Sequence, residues 1–211
     1  MLFSYPKTLM LVFLFASACA FQKKETAIMT DNPVIEKLYR KDIEIRELDA
    51  KTDTVILETY DQPHRNTILQ LLAQNKVITP KDKLRAALIL QHTAANICNG
   101  EITSLSPENY LLAYHLSMEA YQQLSAQNDT ATIRKSNVKR MIAVTYDRYL
   151  LFSVGYQKYG TQFVFDDKTG EMLLAPIDTT LANDAERIEM QVDSLSVLKR
   201  QYKIKQIPKA K

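Results

Sequence analysis

Residues 141–172 read MIAVTYDRYLLFSVGYQKYGTQFVFDDKTGEM, and three of the four glycines in the 211-residue chain fall at positions 155, 160 and 170. From Met141 to Gly155 the only charged residues are Asp147 and Arg148. A stretch that apolar at helical spacing predicts a helix buried on most sides. Gly155 suits the left-handed position that ends such a helix. The runs TQFVF and EMLLA then alternate like strands, and DDKTG between them suits a tight turn closed by glycine. The window therefore predicts a helix that stops at a glycine and runs into a single β-hairpin. Gly160 belongs to neither device, which marks Tyr159 to Gln162 as backbone that approaches another group closely.

Working outward, capping signals repeat upstream. Asn32-Pro33, Thr79-Pro80-Lys81-Asp82 and Ser106-Pro107-Glu108 each place a capping side chain before a proline suited to the first helical turn. With the apolar periodicity they predict helices at about 33–49, 54–75, 80–98, 107–127, 131–154 and 183–203. The fold class is mainly α: a single-domain multi-helix array or bundle, with one small hairpin at about 161–175 before the last helix. An isolated hairpin is marginal in water, so the strand face bearing Phe163 and Phe165 is expected to pack on a helix.

Composition excludes some functions. The formal charge is +3, with acidic and basic residues interspersed, which leaves no electrostatic footprint for nucleic acid. The N-terminus has Lys7, a short apolar run from Leu9 to Phe15, then small residues, the layout of a secretory signal rather than a membrane span. It ends Ala16-Ser17-Ala18-Cys19, which resembles the bacterial lipobox, cut before a cysteine that carries lipid; the small residues also fit an ordinary signal cut. The reading taken is a signal peptide at 1–18, a lipidated Cys19, a polar tether at 19–31 and one helical domain at 32–205. The protein is then exported and held by lipid at the periplasmic or outer-membrane face. Processing uses up Cys19 and leaves Cys98 alone, so stability rests on packing rather than on a disulfide.

Two nearly charge-free helices hold polar residues that need partners. Gln91 and His92 lie in AALILQHTAANICNG, residues 86–100, and Asp147 shares a helical face with Ala143, Val144, Leu150 and Leu151. In order along the chain stand Asp61-Gln62-x-x-Arg65, Ala86-Ala87-Leu88-Ile89-x-Gln91-His92, Tyr110-Leu111-Leu112-Ala113-x-His115, Asp147-Arg148-Tyr149-Leu150 and Gln157-x-Tyr159-Gly160-Thr161-Gln162. Together these blocks resemble the signature of a family of uncharacterised bacterial domains, often lipoproteins. The resemblance implies a shared helical fold and a common polar cluster, and implies no activity.

His92 and Asp147 are the residue types of a general base and the carboxylate that fixes its tautomer, and they are the candidate catalytic pair. Arg65 and Arg148 suit a grip on carboxylate or phosphate. Asp61, Arg65, Gln91, His115, Arg148, Tyr159, Thr161 and Gln162 are the candidate ligand-binding residues. Such a pocket suits binding, hydrolysis or transfer on a small anionic or glycan-like ligand. No nucleophile elbow, phosphate loop, dinucleotide fingerprint or metal-ligand spacing occurs, so no cofactor or metal is assigned. The rival reading is a helical-repeat-like interaction module in the cell envelope, with proline-led helices near 80 and 107 as paired units and abundant tyrosines as contact surface. An open pocket favours the first reading, a sealed network the second.

One consequence is open to test directly. Cys19→Ala is expected to move the protein from the membrane to the soluble fraction, and unchanged fractionation would remove the lipid anchor.

Overall fold

The computed structural model describes residues 29–48, 54–98, 101–104 and 106–205. The expected signal peptide, Cys19 and most of the tether lie outside the described residues. Helix α1 spans Pro33–Leu48, α2 Thr54–Ala73 and α3 Pro80–Gln91. Strands β1 (Ala95–Cys98) and β2 (Glu101–Ser104) follow, then α4 (Pro107–Ala126), α5 (Thr130–Lys135) and α6 (Val138–Val154). Strands β3 (Phe163–Asp166) and β4 (Glu171–Leu174) precede α7 (Asp184–Glu189) and α8 (Leu195–Gln201). The chain is mainly helical with a small antiparallel hairpin before the last helices.

Local chemistry sets the boundaries. Asn32 caps α1 through Oδ1, which accepts from Val34 N–H at 2.9 Å. Its own N–H bonds both oxygens of Asp82, at 3.1 and 2.9 Å, and ties the start of α1 to the first turn of α3. Thr79 caps α3 by accepting from Asp82 N–H at 3.0 Å, and its hydroxyl donates to Asp31 at 2.8 Å. The domain therefore takes hold of the chain at Asp31, within the expected tether.

Three helix expectations are corrected. The helix expected at 80–98 ends at Gln91 with His92 at its C-cap, and residues 95–98 pair instead with 101–104. The antiparallel register runs from Ala95↔Ser104 to Cys98↔Glu101. The helix expected at 131–154 breaks between α5 and α6, where Asn137 adopts a φ of 53°; the one at 183–203 breaks at Gln191, with a φ of 58°. Polar side chains tolerate this left-handed conformation, which propensity sums along a helix do not register.

The buried apolar residues gather in several clusters along the bundle. Ile35, Ile68, Leu71, Ala86, Ala87, Ile89, Leu90, Ala113 and Leu116 join α1 to α4. Ala120, Val138 and Ile142 join α4 to α6. The alanines at these contacts let helix axes approach closely. At the far end of α6, Leu151 meets Val164 and Ala175, while Leu174, Ile177 and Leu198 fix the other hairpin face against α8. The strand face bearing Phe163 and Phe165 packs on α8 at one end: Leu174, opposite Phe163, meets Leu198, and the Phe163 ring lies tilted against Tyr202 with centroids 4.6 Å apart, while Phe165 is 55% exposed; the opposite face meets α6 through Val164.

Gly155 ends α6 with a φ of 85° and Gly160 has a φ of 101°. A Cβ on Gly155 meets nothing within 4 Å, whereas one on Gly160 would lie 2.6 Å from Leu198 Cδ1 and 3.3 Å from Ile177 Cδ1. Gly160→Ala is therefore expected to cost roughly 2–4 kcal/mol, from backbone strain together with overpacking. Gly155→Ala, with strain alone, is expected to cost about 1–2 kcal/mol. Denaturant unfolding of the two variants checks the ranking.

Candidate functional site

Asp147 is fully buried on α6, and its carboxylate gathers the segment after Gly155. Oδ1 accepts from the backbone N–H of Lys158 at 2.8 Å and Tyr159 at 2.7 Å. Oδ2 accepts from Gly160 and Thr161 N–H and from the Thr161 hydroxyl, each at 2.9 Å. Burial pushes this carboxyl up and the five donors oppose the shift. Every neighbour in this set donates, so the ionised form fits it.

Arg187, also fully buried, holds the carbonyls of the same segment. It donates to Tyr159 O at 3.1 Å, Lys158 O at 3.3 Å and Ala182 O at 2.6 Å. Gln157 completes the loop by accepting from Gln162 N–H at 2.8 Å and donating to Gln162 O at 2.9 Å and Ala175 O at 3.0 Å. Residues 157–162 are thereby fixed by three buried side chains. The expected pairing of His92 with Asp147 is corrected: Asp147 is spent on this loop.

The carboxylate that holds His92 is Asp42, which lies 3.0 and 3.1 Å from Nδ1 through its two oxygens. Asp42 also accepts from Arg46 at 2.8 Å, and Arg46 reaches across to Asp61 at 2.7 Å. Arg65 pairs with Glu58 through both carboxylate oxygens and donates to His92 O at 2.7 Å. Arg148 donates to Gln91 O at 2.7 Å and to Gln162 Oε1 at 3.1 Å. Its guanidinium lies 5.7 Å from the centre of the Tyr110 ring. Two guanidiniums thus cap the last carbonyls of α3, where the helix dipole also favours positive charge.

Most of the residues singled out from sequence therefore meet, in two networks joined at the end of α3. Asp61, Arg65 and His92 lie in the one built on α1 and α2. Asp147, Tyr159 and Thr161 lie in the loop clasp, and Gln91, Arg148 and Gln162 connect the two. His115 does not join them; it is exposed on α4 beside the Tyr114 ring. Asp42, Arg46 and Arg187 were missed, and Gln157 entered only as the first residue of the last resembling block. Asp42 and Arg46 sit in a helix rich in exchangeable surface charge, and Arg187 lies among acids in DAERIE, so nothing in the pattern set them apart.

The two ends of the network differ in access and in charge. His92, Arg46 and Glu58 keep 18%, 24% and 24% of their side-chain surface in solvent, while Asp147 keeps none. Among the described residues, Asp42 Oδ2, Asp61 Oδ1, Gln91 Oε1 and His64 Nδ1 are buried without a hydrogen-bond partner of good geometry. Burial holds His64 below the ordinary imidazole value. Its ring lines a groove of about 650 Å³ along α1 with Leu38, Lys41 and Glu44. Among the described residues Arg148 has no carboxylate partner; burial pushes its pKa down, and it remains a cation. Also among them, no group of three His, Cys, Asp or Glu side chains is placed to hold a metal ion, and no helix is long and apolar enough to cross a membrane. Comparison with protein-family models, curated proteins and solved structures finds no match for this chain.

The two halves of the network are expected to respond differently to substitution. Asp147→Asn introduces a donor among five donors and is expected to cost at least about 3 kcal/mol. His92→Ala leaves Asp42 with Arg46 and is expected to cost less than about 1.5 kcal/mol. Equal losses in chemical denaturation would mean that the His92 side is as structural as the clasp.

Proposed function

We propose that the chain is an exported protein, anchored by lipid on Cys19, whose helical domain binds a small ligand through an anionic group at Arg148 beside Gln91 and His92. The reading places it with the uncharacterised bacterial domains that its ordered blocks resemble. One observation carries the ligand reading: Arg148 is half-buried and its partners are a backbone carbonyl, an amide oxygen and an aromatic face, all neutral. Withdrawing a charge from water without an opposite charge is costly, and an anion would offset that cost. Arg65 is not the second half of the grip, because Glu58 occupies it.

His92 is the group in this network best suited to move a proton, since Asp42 holds one ring nitrogen and part of the ring reaches solvent. Asp147 serves the fold and takes no part in chemistry. The interaction-module reading draws on a different feature: Phe165 and Met172, opposite each other in the hairpin register, are 55% and 50% exposed. An apolar pair of that kind suits contact with an envelope protein.

Thermal melts at constant ionic strength test the anion site, with acetate or inorganic phosphate replacing chloride. A ligand that binds the native state alone raises the melting temperature with its concentration. The expected result is a rise that Arg148→Lys reduces at least several-fold. A rise of the same size in wild type and variant would overturn the reading.

A further inference from the structure

The chain enters the domain at a pole where the start of α1, the turn between α2 and α3 and the start of α3 meet. The Asn32 side-chain amide donates to Lys76 O at 3.2 Å, and its backbone N–H bonds the Asp82 carboxylate. Asp31 accepts from the Thr79 hydroxyl at 2.8 Å and lies 2.9 Å from Lys81 Nζ. Within two positions of these contacts stand Met29, Val34 and Ile78, which are 52%, 45% and 46% exposed. The core is already served here by Ile35 and Val77, both buried, so the three remain as apolar surface in water. Apolar residues scattered singly need no explanation, whereas a group gathered at one pole marks a surface that is covered by something.

Charge and chain length name the cover. The acids of this pole are spent within the domain: Asp31 on Lys81 and Thr79, Glu36 on Arg40 and Arg85, Asp82 on the Asn32 N–H. Exposed Lys37 and Lys76 have no carboxylate partner among the described residues, which leaves the pole cationic. Asp31 follows Cys19 by twelve positions. Twelve residues span at most about 40 Å even when fully extended. A domain of residues 32–205 at ordinary compactness has a diameter of about 40 Å. The opposite pole could face a bilayer only with the whole run drawn out along the flank of the domain, so a lipid on Cys19 brings the Asp31 pole to the headgroups. Resting on the Cys19 anchor proposed above, we infer that the pole formed by Met29 to Lys37 and Lys76 to Lys81 docks on an anionic lipid bilayer and fixes how the domain faces the membrane. Met29, Val34 and Ile78 enter the interfacial zone, and Lys37 and Lys76 meet lipid phosphates, each such cation contributing about 1 kcal/mol near an anionic surface. The patch is too small to hold the protein at a membrane alone, and the tether makes it sufficient by keeping it at high effective concentration.

Amide hydrogen exchange of the full-length protein purified from membranes tests it, in detergent micelles, in phosphatidylcholine vesicles and in vesicles of phosphatidylcholine and phosphatidylglycerol in equal parts. Mass spectrometry first establishes the lipid on Cys19. In the anionic vesicles, residues 29–34 and 76–79 are expected to exchange several-fold more slowly than in micelles, with residues 163–172 of the hairpin unchanged. Val34→Glu with Ile78→Glu, and separately Lys37→Glu with Lys76→Glu, are expected to abolish the slowing; all four positions are exposed, and thermal melts show that the variants are folded. A lipidated protein whose pole exchanges at the same rate in anionic vesicles and micelles would overturn the docking surface and leave the anchor standing. So would slowing centred on residues 163–172, or slowing that both double variants retain. Slowing of equal size on phosphatidylcholine alone would overturn the anionic assignment. Absence of lipid from Cys19 would overturn the anchor and the docking surface together.

Discussion

The Asp147 carboxylate, buried with five donors on its two oxygens, is the constraint on which the C-terminal third of the molecule depends. The chain leaving α6 has no helix or ladder to satisfy its N–H groups between residues 158 and 161, and an unpaired backbone donor in the interior is costly. Asp147 supplies their acceptors and Arg187 supplies donors to the carbonyls. With both sides of the backbone satisfied, the loop is seated where Gly160 passes close to Leu198 and Ile177, so the hairpin and α8 have a fixed platform.

This loop also reaches the candidate site. The Thr161 hydroxyl donates to Asp147 Oδ2 and accepts from Gln162 Nε2, and Gln162 Oε1 accepts from Arg148. Arg148 in turn holds the last turn of α3. The orientation of the Arg148 guanidinium is thus set in part by Gln162, at the end of the segment that Asp147 holds. Adjacent residues 147 and 148 divide the labour: the carboxylate builds the loop, and the guanidinium extends from it to the end of α3.

At that helix end, side chains from α2 and α6 do the capping. A C-terminus leaves carbonyls without partners inside the helix, and Arg65 and Arg148 serve those of His92 and Gln91. Among the described residues Arg148 has no carboxylate partner and Gln91 Oε1 no donor.

The sequence alone determined the helical class, the capped starts of α1 and α3, and the hairpin turned by DDKTG, because these follow from periodicity and backbone preferences within a few residues. It also brought forward Gln91, His92, Asp147 and Arg148, since polar groups in nearly charge-free helices must find partners. Tertiary structure decided who those partners are. His92 meets Asp42 from a helix 50 positions earlier, Asp147 meets backbone that carries no sequence signature, and Arg187 is a core residue drawn from a surface-like acidic run. Only packing decides which of many charged residues is withdrawn from water, because the cost of burial depends on the neighbours assembled around each group and not on its position in the chain.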